Sequence, residues 1–395
     1  MTMRPGLQIP HPRERRLVAL ADVATRPLAW WRRPEAATPA RVLLLRLERI
    51  GDLLMVLDAI GLARKLAPTA TIDLAVGSWN ADLAALVPGI DRVHLVDVPW
   101  LAREGRGSSW PALVREAGRW RQHAYDLVIN FEPDIRSNVL AWLSGARHRA
   151  GYWTGGGGAF LTDAGVYDSS AHVRLNAERL VRRAFGADAR ADAPAPQRLR
   201  LPDEARTRAN ATLPAFGTRL VGVHASGGRP SKQWHPERFG DAAREIARRH
   251  GATIVLTGGP ADRALVDAVK TRLTAVPVVD VCGALDLPSL AAILARLDLF
   301  VTGDTGPMHL AAAVGTPLVV LFGPSDPGRY GPAATPHEVV RADLWCRPCG
   351  LVRLPPDRCR NRVPDCLDAI DVAAVVTAAD RVLAAGATYP RQSTV

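Results

Sequence analysis

Neither of the two glycine signatures that commonly mark a nucleotide site in an α/β chain is present. No GxGxxG follows a strand-like run, so a dinucleotide site is unsupported, and no GxxxxGK[ST] occurs, which excludes a P-loop enzyme. Cysteine is scarce: five in 395 residues, four of them close together, which is unlike a secreted disulfide scaffold. Aromatics make up only 6% and are not interleaved with the basic residues as a nucleic-acid surface requires, so no nucleic-acid partner is expected. No uninterrupted apolar run is long enough to cross a bilayer, and no signal peptide precedes the first strand-like run. The expected location is the cytoplasm.

What is present is a globular composition, 48% hydrophobic, in a chain long enough for two cores. The net charge is +11, mostly from arginine. By itself such a balance favours acidic partners, whether nucleic acid, anionic lipid or acidic and phosphorylated glycans, or it is a solvated arginine-rich surface. Residues 1–40 stand apart as a basic extension with seven arginines against three acids. Trp30 and Trp31 lie there beside Arg32 and Arg33, a pattern suited to a lipid headgroup layer, or to a tail whose rings pack on the domain.

From residue 41 strand-like and helical patterns alternate. "RVLLLRL" (41–47), "TIDLAV", "RVHLVDV" and "YDLVIN" read as strands, and "GADARADAPAPQ" (186–197) reads as a linker. The alternation restarts with "RLVGVHA", "GATIVLTGG", "VPVVDVCG", "LDLFVTGD" and "TPLVVLFG". This predicts an α/β protein with two parallel-sheet, Rossmann-like domains, at 41–195 and 215–385, facing a central cleft. "GYWTGGGGAF" (151–160) reads as a mobile glycine loop near that cleft.

Three stretches are candidates for chemistry. In "TGDTGPMHLAAA" a strand ends, Pro307 takes the first helical position, and the free N–H groups of the first turn invite an anion. Thr305 and His309 add donors there; the plain alternative is that Asp304 and Thr305 cap the helix. In "HASGGRPSKQWHPERF" a glycine-rich loop carries Ser226, Ser231 and Lys232, with Lys232 either a point charge for a diphosphate or a solvated lysine. In "RLERIGDLLM" Asp52 follows the first strand, as a proton acceptor or as a helix cap.

Together with the cysteine-rich "WCRPCG…CRNRVPDC" and "HVRLNAERL" (172–180), these stretches resemble glycosyltransferase family 9, the lipopolysaccharide heptosyltransferases, over residues 41 to about 380. The resemblance implies the two-domain GT-B fold, with an acceptor-binding N-terminal domain and a nucleotide-sugar-binding C-terminal domain. It implies inverting transfer of a sugar, heptose from ADP-heptose first, onto a lipopolysaccharide core or related glycolipid at the inner face of the inner membrane. It also assigns roles: Asp52 as general base; Lys232 on the donor phosphates; Asp304, Thr305, Gly306 and His309 in the donor loop; Asp262 on the ribose. No metal is required for catalysis in that family. One departure is Asp58, where the family has proline; it points to a different acceptor or a different helix start.

Other readings stay open at this stage: another nucleotide sugar and acceptor, or a non-catalytic nucleotide-sugar binder. Cys346, Cys349, Cys359 and Cys366, spaced C-x2-C-x9-C-x6-C in the loop 346–366, would hold a structural zinc or stand as separate thiols. Cys282 is expected in the core at a strand end.

Overall fold

In the computed structural model the described residues are 6–9, 11–27, 38–101, 107–188, 195–215, 217–333, 335–352, 355–360 and 362–386. Trp30, Trp31, Arg32 and Arg33 lie outside them, as does half of the 186–197 linker. The chain divides into two compact units, Met1–Gln197 and Arg198–Val395.

The first unit is built on a six-stranded sheet: β1 (Arg41–Leu45), β2 (Thr71–Val76), β3 (Arg92–Leu95), β4 (Leu127–Asn130), β5 (His148–Tyr152) and β6 (Asp163–Gly165). Their order is β3-β2-β1-β4-β5-β6, all parallel. Val42 sits between Ile72 of β2 and Leu127 of β4, and Val42 to Leu45 are fully buried. A central parallel strand is covered on both faces, which is why "VLLL" is continuously apolar.

The second unit repeats that plan with β7 (Arg219–His224), β8 (Ala252–Leu256), β9 (Val278–Asp280), β10 (Leu299–Gly303), β11 (Leu318–Leu321) and β12 (His337–Val340). The order β12-β11-β10-β7-β8-β9 is again parallel throughout. The helix Val372–Gly386 closes one side of its core. Val375, Val376, Ala378, Ala379, Val382 and Leu383 recur at helical spacing and pack with β-strand residues such as Val301 and Val319. The α/β architecture of two parallel sheets is therefore as expected. In both units the strand order reverses beside the first strand, between β1 and β4 and between β7 and β10. Open α/β sheets bind ligands beyond the carboxyl ends of the strands at that reversal.

The stretch 151–160 differs from the mobile loop anticipated. Gly151 and Tyr152 belong to β5, and the turn after them is packed. A Cβ at Gly155 would fall 1.8 Å from the Pro133 carbonyl oxygen, and Gly156 and Gly157 adopt φ of 91° and 74°. Glycine serves here for close approach and a left-handed turn. Asn138 Nδ2 donates to the Gly156 carbonyl at 2.8 Å, and the Gly157 amide donates to Asp22 Oδ1 at 2.6 Å.

Asp22 belongs to a helix, Pro12–Thr25, in the basic extension. The helix docks through Val18, whose Cγ1 meets Gly156, while Gln8 bonds to Thr154 and Tyr167 through their carbonyls. Its other side leaves Leu17, Leu20 and Val23 at 67%, 68% and 56% exposure. Among the described residues no helix is long and apolar enough to cross a membrane.

Candidate active site

At the β7/β10 reversal the chain leaves β7 through Ala225, Ser226 and Gly227. A Cβ on Gly227 would lie 2.8 Å from the Lys232 carbonyl oxygen, and one on Gly303 would lie 3.4 Å from the same oxygen. The two glycines let the loop fold onto the end of β10, and that places Lys232 in a short turn, Pro230–Lys232, over Asp304. Lys232 Nζ stands 2.6 Å from Asp304 Oδ2, with both side chains largely buried. Ser231 Oγ donates to the Val352 carbonyl at 3.0 Å and fixes the outer side of the loop.

Beyond Asp304 a nine-residue helix runs from Gly306 to Val314. It begins one residue earlier than expected, so Pro307 is its second residue. Thr305 is the cap: its hydroxyl accepts from the Met308 amide at 3.4 Å and lies 3.3 Å from Thr302 Oγ1. Asp304 is not a cap, because its carboxylate is turned to Lys232. His309 and Ser226 are buried. The helix ends at Gly315, φ 88°, which lets the chain turn into β11.

Asp262 stands at the end of the adjacent strand, β8. Its Oδ2 accepts from the Gly259 amide at 2.8 Å, closing its own turn. Its charge reaches His224 at the end of β7, whose pKa burial pushes below the ordinary histidine value against the opposing pull of Asp262. The structure thus gathers Ser226, Lys232, Asp304, Thr305, Gly306 and His309 at one reversal, with Asp262 one strand away.

At the β1/β4 reversal Asp52 lies in a short helix, Ile50–Leu54. Its Oδ2 accepts from the Arg49 amide at 3.0 Å, so it does cap the helix; its Oδ1 faces Arg46 Nη2 at 3.6 Å. Arg46 is 3% exposed and reaches outward from the end of β1. Its Nε donates to the Asp52 carbonyl at 3.0 Å, and its Nη1 to the Phe131 carbonyl at 3.1 Å and to Glu48 Oε2 at 2.8 Å. Burial works against this charge, but Glu48, Asp52 and Glu132 together hold its pKa above the ordinary arginine value.

Glu132, just past β4, was not singled out in the sequence. It is 2% exposed, and its Oε1 accepts from the amides of Leu47 at 2.5 Å and Glu48 at 3.1 Å. Burial first, then the nearby Glu48, push its pKa up to about 8 against the pull of Arg46. The available signal was an acid directly after the run "YDLVINF".

Asp58 is held within the first unit. It is 6% exposed; Oδ2 pairs with Arg174 Nε at 2.6 Å and Oδ1 accepts from the Gln197 amide at 2.7 Å. Both oxygens are occupied in tying the helix Leu57–Leu66 to the helix Val173–Ala184 and to the last residue of the first unit.

No disulfide links the four clustered cysteines in the structure. Cys349 is exposed, Cys346 and Cys359 are half-buried, and Cys366 is buried, which pushes its thiol up to about 11. Among the described residues no group of three or more His, Cys, Asp or Glu is assembled closely enough to hold a metal ion. Among the described residues the four cysteines are not gathered as a zinc set, and no chemistry is assigned to one. Cys282 is half-buried just beyond β9, packed against the second core, with its Sγ 3.3 Å from the Gly259 carbonyl.

Residues 115–352 match glycosyltransferase family 9 (heptosyltransferase), a stretch that contains Lys232 and Asp304 and begins after Asp52. The chain is 24% identical over 313 residues to lipopolysaccharide heptosyltransferase 2 of Salmonella typhimurium, covering 76% of this chain and 88% of that one. It is 27% identical over 320 residues to lipopolysaccharide heptosyltransferase 1 of Pseudomonas aeruginosa, covering 78% and 86%. Among solved structures, the family 9 glycosyltransferase of Veillonella parvula superposes with a TM-score of 0.76 at 25% identity, over 89% of this chain and 99% of that one. The E. coli heptosyltransferase WaaC with ADP shares the fold at 20% identity, with a TM-score of 0.64 over 87% and 99%. With a family match over more than half its length and GT-B heptosyltransferases as structural neighbours, this chain belongs to glycosyltransferase family 9 and is a transferase.

Proposed function

We propose that the enzyme moves a sugar from a nucleotide diphosphate sugar, ADP-heptose in the first instance, to a hydroxyl of a lipopolysaccharide-core glycolipid, with inversion. The observation that carries this reading is the pairing of chemistry with topology. A carboxylate held by arginine lies in the turn after β1, where one sheet reverses, and a lysine–aspartate pair beside a helix N-terminus lies beyond β7 and β10, where the other reverses. The relatives' names supply the sugar and the acceptor class.

In this mechanism Asp52 takes the proton of the acceptor hydroxyl as its oxygen attacks the anomeric carbon and the bond to the diphosphate breaks. The leaving diphosphate takes the electron pair. Its charge is met by Lys232 and by the first-turn amides of Gly306–Val314. Thr305 and His309 hold the phosphates, Ser226 lines the loop and Asp262 takes the ribose. Charge on the leaving group is thus balanced by protein groups, so a chelator should leave the rate unchanged.

The membrane is the second partner in this reading. The helix Pro12–Thr25 places Leu17 and Leu20 on its exposed side with Arg13 and Arg16 nearby in sequence. Apolar side chains flanked by cations fit the headgroup layer of an anionic leaflet.

The test is a thermal-shift screen of ADP, UDP and GDP, followed by transfer from ADP-heptose to a truncated lipopolysaccharide acceptor. A ligand that binds only the native state raises the melting temperature. Stabilisation by ADP, with release of ADP only when acceptor is added, supports the reading. Stabilisation by another diphosphate alone gives a different donor. Donor binding without release under any acceptor would make the protein a binder.

A further inference from the structure

We propose that Trp100 and Trp110, with the Arg136 guanidinium laid over Trp100, form a stacking platform for a pyranose ring of the glycosyl acceptor. The proposal rests on the reading of Asp52 as the acceptor-side base and deepens it.

The first observation is position. Arg49 gives its backbone amide to Asp52 Oδ2 at 3.0 Å and its guanidinium to the carbonyl of Leu101, the residue after Trp100. The same guanidinium lies 5.0 Å from the ring centre of Trp79, whose Nε1 donates to the Glu48 carbonyl at 2.8 Å. One side chain therefore ties the Asp52 turn to the segments after β2 and β3, all at the carboxyl end of one sheet.

The second is exposure without a folding role. Trp110 opens the helix Trp110–Arg119, whose Leu113 and Ala117 enter the core, yet Trp110 itself is 47% exposed. Its ring stacks on Trp100 with centroids 5.3 Å apart and planes at 28°. Large rings held rigid at the surface offer contact area at low entropic cost. The negative face of an indole attracts the weakly positive C–H face of a sugar ring.

The third is charge. Arg136 Cζ lies 4.7 Å from the Trp100 ring centre, and Asp134 neutralises it through Oδ1 at 2.9 Å and Oδ2 at 2.5 Å. The pair offers a donor and an acceptor side by side, which suits vicinal hydroxyls. Being close to neutral, it does not favour a polyanionic strand.

The experiment is calorimetric titration of the full-length chain with a lipid-free core oligosaccharide released by mild acid from a rough-type lipopolysaccharide. Trp110→Ala should weaken binding about tenfold, with Trp110→Phe restoring most of it and ADP affinity unchanged. Trp345→Ala, which removes another exposed tryptophan in the second unit, should have no effect. Circular dichroism checks the fold of each variant; Trp100→Ala is less informative because Trp100 packs on the core. Binding by Trp110→Ala at wild-type strength overturns the platform and leaves the proposed transfer standing. A wild-type chain that binds no oligosaccharide overturns the acceptor reading and the platform together.

Discussion

Lys232 and Asp304 form a 2.6 Å ion pair at the point where the second sheet reverses its strand order, with their side chains 20% and 9% exposed. A diphosphate at this site meets a lysine already positioned by a carboxylate. Asp304 thus sets the geometry of the cation while competing with the ligand for its charge.

Lys232→Ala should therefore weaken nucleotide diphosphate binding by about tenfold to a hundredfold, the span expected for losing a charge-assisted hydrogen bond. Asp304→Asn should leave binding nearer to wild type but slow transfer, since the lysine loses its anchor. Equilibrium binding and single-turnover rates for both variants separate the two effects. Equal loss of affinity in both would mean that Asp304 contacts the donor directly.

Much of this site was legible in the sequence because its parts are local. The turn "TGDTGPMH" and the glycine-rich loop that leads to Lys232 declare a strand end, a loop and a helix start within a few residues. The division of labour was not legible: Asp304 turns to Lys232 through a contact 72 positions away. The other misses have related causes. β5 ("HRAGY") and β12 ("HEVV") carry too few apolar residues to stand out, because a strand towards a sheet edge is only partly covered. Gly155 looked flexible because a glycine required by close backbone packing and one required by mobility are spelled alike. Nothing local in the sequence couples Arg46 to Glu132; only the fold brings them to adjacent strand ends and buries both.

Glu132 makes a pH prediction. Its folded pKa, about 8, is raised above the ordinary glutamate value by burial and by Glu48, with Arg46 opposing and Asp134 adding to the rise. The folded state therefore binds a proton that the unfolded chain releases. This contribution to stability is fully present below the unfolded pKa and is lost as pH rises through the folded value. Glu132→Gln should flatten the fall in melting temperature between about pH 5 and pH 8 relative to wild type. Parallel wild-type and variant curves would show that Glu132 is ionised throughout.

Asp58→Ala should destabilise the first unit by about 2 kcal/mol. It removes one of the two carboxylates on Arg174, leaving Glu178 at 2.7 Å, and takes away the acceptor of the Gln197 amide; the figure is below that for a broken buried pair because Arg174 keeps that partner and is 23% exposed. Turnover per folded molecule should stay close to wild type. Denaturant melts and active-site-normalised rates check both. A large rate loss with unchanged stability would return Asp58 to the acceptor side.

The helix Pro12–Thr25 predicts lipid binding. Leu17→Glu combined with Leu20→Glu should release the protein from vesicles containing anionic phospholipid at low salt, with transfer to a soluble acceptor unchanged. Sedimentation with the vesicles reads the outcome. Full retention by the double variant would move the contact elsewhere on the basic surface.

The central claim is that Asp52 is the base, although it also caps its helix through the Arg49 amide. Asn at this position can still accept that amide while losing the ability to take a proton. The decisive measurement is the single-turnover transfer rate of Asp52→Asn at saturating donor and acceptor, with ADP affinity and circular dichroism measured on the same sample. A general base contributes about 10² to 10⁴ in rate. The account predicts a fall of at least about a hundredfold with ADP affinity within about twofold of wild type. Retention of more than about a tenth of the wild-type rate would contradict it and leave Asp52 a cap alone.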